Sequence, residues 1–306
     1  MAEVSQKLTM DGLLRRTTRR LARARLHYGH GTECAADDAA ALLAHVSGAR
    51  LPLASTFLRR AAGPRLVARL EPLIERRIRE RVPVVYLTQR CWFAGLPMYV
   101  DERVLIPRSP FAELIEQRFE PWVDPSRVRS ICDMGTGSGC IAIACAYAFP
   151  AARVDAVDIE PGALAVARRN VAAHGLRGRV RLRRSDHFAG LGKSVYDMIV
   201  SNPPYVGARE LAGLPAEYRH EPRLALAAGR DGMHSVDELL LRAPRHLRPG
   251  GLLVVEVGNT EHVVRRRYPR LPFTWLQFRR GGGGLFALTR EQLLQGRGAA
   301  GGRSGK

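Results

Sequence analysis

The sequence predicts a doubly wound α/β fold preceded by a smaller helical domain. Three observations carry that expectation. Apolar residues over the first 85 or so positions recur at helical spacing. From about residue 111, short buried runs alternate with helical stretches, the pattern of a mostly parallel sheet covered by crossover helices. Between the two, apolar and β-branched runs are punctuated by Gly95-Leu96-Pro97, which reads as a turn. The expected organisation is residues 1–85 as a helical domain, 86–110 as a β-hairpin linker, 111–292 as the α/β domain and 293–306 as a disordered Gly- and Arg-rich tail.

Each element follows from its residues. Leu13, Leu14, Ala22 and Leu26 lie near helical spacing. Asp37-Asp38 can open a second helix that runs through Leu42, Leu43 and Val46 and stops at Gly48. Residues 51–58 and 66–78 supply more helix. Residues 84–87, 91–94 and 98–100 read as β-like runs. In the second domain, strands are expected at residues 130–134, 153–157, 180–183, 196–200 and 252–257. Helices are expected at 139–149, 162–174 and 236–247, the last ending at Pro249-Gly250-Gly251. Residues 273–278 and 285–289 read as a closing hairpin around residues 281–284.

The net charge is +19 and only Lys7, Lys193 and Lys306 are lysines, so the positive charge is almost all arginine. Two readings of that excess stand side by side: a skewed composition, or a basic surface in weak contact with RNA. The five cysteines contain no C-x-x-C pair, which argues against a disulfide framework and against a zinc site; no metal is expected. The N-terminus has no apolar signal core, and the longest apolar run is too short to span a bilayer. A cytoplasmic protein with no membrane contact is expected.

The first strand of the second domain ends in Asp133-Met134-Gly135-Thr136-Gly137-Ser138-Gly139. A turn of this kind brings backbone close to a ligand, and the following helix points its free amides at the same place. Asp158 ends the next strand, where a carboxylate can accept both hydroxyls of a ribose. NAD is the competing ligand, but its fingerprint G-x-G-x-x-G fails here because the third glycine, Gly139, comes one place early. An acidic residue two places before the first glycine is typical of methyltransferases. Asp133 is therefore expected to serve the ammonium of S-adenosyl-L-methionine. Asp186 and His187, after the third strand, are placed to line the adenine, although His187 reads equally as a histidine on the rim.

Asn202-Pro203-Pro204-Tyr205 follows the fourth strand, at the edge where open α/β sheets bind ligands. Two prolines fix φ and remove donors, which makes a rigid turn that displays acceptors. The Asn202 side-chain oxygen and the Pro203 carbonyl can accept the two N–H groups of an amide or aromatic amine, and Tyr205 can stack on the planar group. Asn202 also adjoins the cofactor. A conjugated nitrogen is a poor nucleophile, so orientation against a sulfonium is what such a site can supply.

With those residues in view, the chain resembles the HemK-like protein glutamine methyltransferases over nearly its whole length. The resemblance is carried by Tyr28-Gly29-His30-Gly31-Thr32, Trp92-Phe93-Ala94-Gly95-Leu96, the run from Tyr99 to Arg108-Ser109-Pro110, and the Asn-Pro-Pro-Tyr tetrapeptide. Glu217-Tyr218-Arg219-His220-Glu221-Pro222, Ala227-Ala228-Gly229-Arg230-Asp231-Gly232, Glu256-Val257-Gly258-Asn259 and residues 281–284 complete it. The ending Arg108-Ser109-Pro110 is similar to the branch acting on large-subunit ribosomal protein three. The branch acting on peptide-chain release factors usually has Pro-Glu-Thr after that arginine. The resemblance implies a Rossmann-like class I methyltransferase domain and an N-terminal helical domain that helps hold the protein substrate. It also implies cofactor contacts at Gly135, Thr136, Gly137, Ser138, Gly139, Asp158 and the position of His187, and glutamine binding by Asn202, Pro203, Pro204 and Tyr205. Ala36 and His187 depart from the pattern, since relatives often carry Trp at the first and Leu or Trp at the second. The implied partner is a ribosomal protein, free or within an assembling particle. The alternatives are methylation of a release factor and of an exocyclic amine in DNA or RNA, which uses the same tetrapeptide. No target-recognition domain follows the tetrapeptide in this sequence.

Overall fold

The computed structural model describes residues 8–227 and 232–298. The chain divides into two compact units. One comprises the residues up to Cys91 with Val100–Glu102 and Pro215–His220; the other comprises Trp92–Tyr99, Arg103–Leu214 and the residues from Glu221 onward. The stretch read as a linker is thus shared between the two units.

The first unit is helical: α1 (Met10–Arg23), α2 (Ala35–Ser47), α3 (Ser55–Leu58), α4 (Pro64–Glu75) running into a π-turn (Arg76–Glu80), and α5 (Val84–Thr88). Leu13, Leu21, Leu42, Leu43, Leu70 and Ile74 form its buried apolar side. Gly48 ends α2 in the left-handed conformation that glycine adopts most cheaply. Asp37 caps α2 by accepting from the Glu33 and Cys34 amides, whereas Asp38 turns inward to the buried Arg77 guanidinium at 2.7 Å. Arg77 also meets Glu217 at 3.3 Å and the His27 carbonyl at 2.8 Å. A buried arginine is tolerable only when its donors are taken up in this way.

Two sequence expectations fail in this unit. Residues 84–87, read as strand, are helix α5, with the Pro83 carbonyl accepting from the Tyr86 and Leu87 amides. All four are buried, so no polar face marks the period, and a proline just before them suits a helix start. Of residues 51–58, only Ser55–Leu58 is helical.

The second unit holds, from Trp92 onward, the short hairpin of β1 (Cys91–Phe93) and β2 (Leu96–Met98), turned at Gly95. Then follow α6 (Phe111–Glu116), β3 (Ser130–Met134), α7 (Cys140–Ala148), β4 (Arg153–Asp158), α8 (Pro161–Ala173), β5 (Val180–Arg184) and β6 (Tyr196–Ser201). After the short helices α9 (Ala208–Ala212) and α10 (Arg223–Leu226) come α11 (His234–His246), β7 (Leu247–Glu256), α12 (Glu261–Arg267), β8 (Thr274–Trp275), β9 (Leu285–Thr289) and α13 (Arg290–Gly298). The seven-stranded sheet has the order β5-β4-β3-β6-β7-β9-β8, parallel except where β9 runs against β7 and β8. Alternate residues serve opposite layers, as a pleated strand requires. Ile131, Val154, Met198 and Leu252 pack with α6 and α7, while Cys132, Ile199, Leu253 and Phe286 pack with α11. The doubly wound expectation holds.

Two details differ from the sequence reading. Strand β7 begins at Leu247 and takes in Pro249-Gly250-Gly251, with a register shift opposite residues 196–198 absorbing the irregularity. The tail expected to be disordered from residue 293 is helical through Gly298. Thr289 and Gln292 cap each other's backbone, a capping box, and Leu293 is buried. Residues 299–306 lie outside the described part, as do residues 228–231 of the resemblance motif. Among the described residues no helix is long and apolar enough to cross a membrane, and no cluster of acidic, His or Cys side chains is placed to hold a metal ion.

Candidate active site

The carboxyl ends of β3, β4 and β6 open into a cavity of about 400 Å³, within the range of small-molecule sites. The turn after β3 forms one wall. Gly135 and Thr136 donate their amides to the Val157 carbonyl at 2.9 and 2.8 Å, which pins the turn to β4. Gly139 has φ +81°, and a Cβ there would stand 3.2 Å from Ala167 Cβ on α8, so close approach and conformation both call for glycine. Buried Asn170 of α8 donates to the Ser138 carbonyl and exchanges two hydrogen bonds with the Tyr99 backbone.

Asp158 lies in the next wall. Its Oδ2 accepts from the Gly137 amide at 2.8 Å and its Oδ1 from the Glu160 amide at 3.0 Å. Burial pushes its carboxyl above the ordinary range, against those amide bonds. Beside it Ile159 leaves an apolar side chain 43% exposed toward the same cavity. Ser185, Asp186 and His187 close this side. His187 has φ +46°, its Nδ1 lies 2.7 Å from an Asp186 carboxylate oxygen, and its ring sits edge-on to His234 at 5.9 Å.

The opposite wall comes from β6. Ser201 donates to the Met134 carbonyl at 2.7 Å and so ties the end of β6 to the end of β3. Asn202, Pro203 and Pro204 then line the cavity. Arg108, another lining residue, is held by a two-pronged ion pair with Glu221 at 2.6 Å on both arms, and Glu221 also accepts the Ile106 amide.

Two residues singled out from the sequence sit elsewhere. Asp133 is fully buried and outside the cavity lining. Its Oδ2 accepts from Thr136 at 2.5 Å and from the Ala142 amide at 3.0 Å, and burial pushes its carboxyl up to about 7. It braces the turn from behind. Tyr205 is also outside the lining; its hydroxyl donates to Glu256 Oε1 at 3.1 Å. Sequence reasoning gave no role to Asn170, Ile159, His234 or Leu224. All but Asn170 line the cavity, and only their placement at strand and helix ends brings them there.

These residues fit S-adenosylmethionine. Glycine backbone can approach the methionine part, Asp158 can serve a ribose and Ile159 offers an apolar face to a base. A family model, the methyltransferase small domain, matches residues 117–214. The ribosomal protein uL3 glutamine methyltransferase of Bordetella pertussis is 45% identical over 288 residues, covering 93% of this chain and 96% of that protein. The enzyme of the same description from Neisseria meningitidis serogroup B is 44% identical over 294 residues, covering 95% and 97%. A methyltransferase structure from Pyrococcus furiosus aligns at 21% identity and TM-score 0.46, over 64% of this chain and 89% of its own.

Proposed function

This chain belongs to the ribosomal protein uL3 glutamine methyltransferases, and from that premise we propose that it methylates a glutamine side-chain amide of ribosomal protein uL3. The observation that carries the reading is that Asn202, Pro203 and Pro204 line one cavity with Gly135 and Asp158, in a chain matched over 93% of its length by such a relative. S-adenosylmethionine supplies, when bound, a methyl group on a sulfonium.

The chain's own part is orientation. The Asn202 side-chain oxygen and the Pro203 carbonyl accept the two amide N–H groups and turn the nitrogen's lone pair toward the methyl donor. With the donor bound, that nitrogen would accept the methyl group it supplies and lose its own proton to solvent, so the methylated amide stays neutral. Asp158 and the backbone of residues 135–139 hold the donor; Asp133 stiffens that backbone through Thr136 and the Ala142 amide. Asp186 and His187 border the adenine.

The helical unit helps hold the protein substrate, and ribosomal particles in the cytoplasm are its setting. Arg16, Arg19 and Arg23 lie exposed on α1 and suit weak contact with ribosomal RNA, by a screened attraction that fades with salt. The test supplies labelled cofactor to ribosomal particles from cells lacking the enzyme, then treats separate aliquots with nuclease and protease. Label lost to protease and confined to uL3 is expected. Label lost to nuclease alone would reject protein glutamine in favour of a nucleobase.

A further inference from the structure

Behind the Asn-Pro-Pro-Tyr turn lies a buried carboxyl that the reaction as described leaves without a task. Glu256 ends β7, and Ser201 pairs with Val255 in the sheet, so the next residues along the two strands are Asn202 and Glu256. Glu256 is 4% exposed. Its Oε2 accepts from the Ser109 hydroxyl at 2.5 Å and its Oε1 from the Tyr205 hydroxyl at 3.1 Å. Ser109 is fixed in turn, since its oxygen accepts the Phe111 amide at 3.1 Å. Burying an ionisable carboxyl whose hydrogen-bond partners are two hydroxyls is costly, and a neutral residue would hold a fold more cheaply.

Tyr205 is seated at two other points, one of them backed by a third glycine. Gly258 has φ +48°, and a Cβ there would stand 2.6 Å from the Tyr205 ring. A Cβ on Gly232 would stand 2.5 Å from the Tyr205 carbonyl oxygen. Gly284 lies directly against the Gly258 carbonyl, and its own carbonyl accepts the Val257 amide at 2.6 Å. Segments far apart in the chain thus converge on one tyrosine, and Glu256 grips its hydroxyl.

We propose that Glu256 is the positioning residue for the methyl acceptor: it fixes Tyr205, and through Tyr205 the acceptor turn, with Ser109 fixing Glu256. The inference rests on the glutamine methyltransferase reading above. As a carboxylate, Glu256 accepts both hydroxyls; as an acid it must donate one hydrogen, and one hydroxyl has to turn away. Its carboxyl is pushed up to about 7, chiefly by burial, with the Ser109 and Tyr205 hydrogen bonds and Arg108 pulling the other way. The ionisable groups facing it are Tyr205 and Arg108, the latter tied up with Glu221; on β9 its neighbour is Leu285. Turnover therefore falls as pH drops through that value.

The experiment compares single-turnover methyl transfer to uL3 by the wild type, Glu256→Gln, Tyr205→Phe and the double variant over a pH range bracketing neutrality. Each single change is expected to slow transfer about tenfold with cofactor affinity kept. The double variant should be no slower than the slower single, because both cut one connection. The acid limb should vanish in Glu256→Gln. Ser109→Ala, which leaves Glu256 and Tyr205 in place, should move the limb to higher pH by removing a bond that stabilises the carboxylate. Multiplying losses in the double variant, an acid limb that survives Glu256→Gln, or an unmoved limb in Ser109→Ala overturns the proposal while the function stands. Wild-type protein that methylates no glutamine in uL3 overturns the function itself and the proposal with it.

Discussion

Asp133 and Glu256 stand at the carboxyl ends of two strands of the same sheet, both buried, both with carboxyls pushed up to about 7. Their partners differ. Asp133 holds Thr136, three residues on, and the Ala142 amide, nine residues on. Glu256 holds Ser109, 147 residues away, and Tyr205, 51 residues away. The Asp133 brace of the cofactor half thus lies within one strand-turn-helix passage, with β4 and α8 adding ties from the next crossover. The acceptor half is braced only when β6, β7 and the run before α6 have come together. A local brace suits a ligand common to many enzymes; a long-range brace suits a surface that one protein substrate must fit.

If the two halves are separable, changes in one should move cofactor affinity and changes in the other should move turnover. The largest effect is expected from Asn202→Ala, a loss of about 100-fold in single-turnover rate with cofactor affinity largely kept. A rate within a few-fold of wild type would remove Asn202 from the orienting role. Asp158→Ala should weaken cofactor binding by about 1.5–3 kcal/mol, the range for hydrogen bonds to a charged group, while the rate at saturating cofactor changes little. Calorimetric titration decides this, and an unchanged affinity would break the comparison from the cofactor side.

Gly258→Ala sharpens the comparison from the acceptor side. Its Cβ would collide with the Tyr205 ring at a backbone conformation that L residues rarely adopt. Urea unfolding should register a loss of about 1–3 kcal/mol. Turnover should fall while cofactor affinity holds.

The smallest effect concerns pH. The folded protein keeps the Asp133 and Glu256 protons from their ordinary values of 3.8 and 4.5 up to about 7, an interval in which the unfolded chain has lost them. The folded state binds more protons there, so these groups make stability fall as pH rises through that window. Asp133→Asn and Glu256→Gln should each flatten the slope of unfolding free energy against pH; a slope unchanged in both would mean that neither group carries the shift.

The same contrast explains what was legible in the sequence. The glycine turn and Asp158 could be read because their geometry is built within a few dozen residues. Asn202 could be read because two prolines announce the turn that carries it. Tyr205 was read as a stacking platform. Its tie to Glu256 depends on a strand register and on Gly258 and Gly232 meeting around it, with Gly284 behind Gly258, which no local pattern encodes. Asp133 was read as a ligand contact; its hold on Thr136 and the Ala142 amide went unread, because its spacing to Gly135 says nothing of which way the side chain turns. The misread segments have local causes. Residues 84–87 are buried on every side and show no period. In residues 293–298 the Gly and Arg content masked a capping box at Thr289 and Gln292 that was present in the sequence.

The central claim is methyl transfer to a glutamine of uL3, and mass spectrometry of that protein tests it most directly. Unmethylated uL3 is incubated with the enzyme and cofactor carrying an isotopically heavy methyl group, then digested and sequenced by fragmentation. The account predicts one heavy methyl on a single glutamine side-chain amide, present with the wild type and lost with Asn202→Ala. Heavy methyl on another residue type, or on glutamine to the same extent with Asn202→Ala, would contradict it.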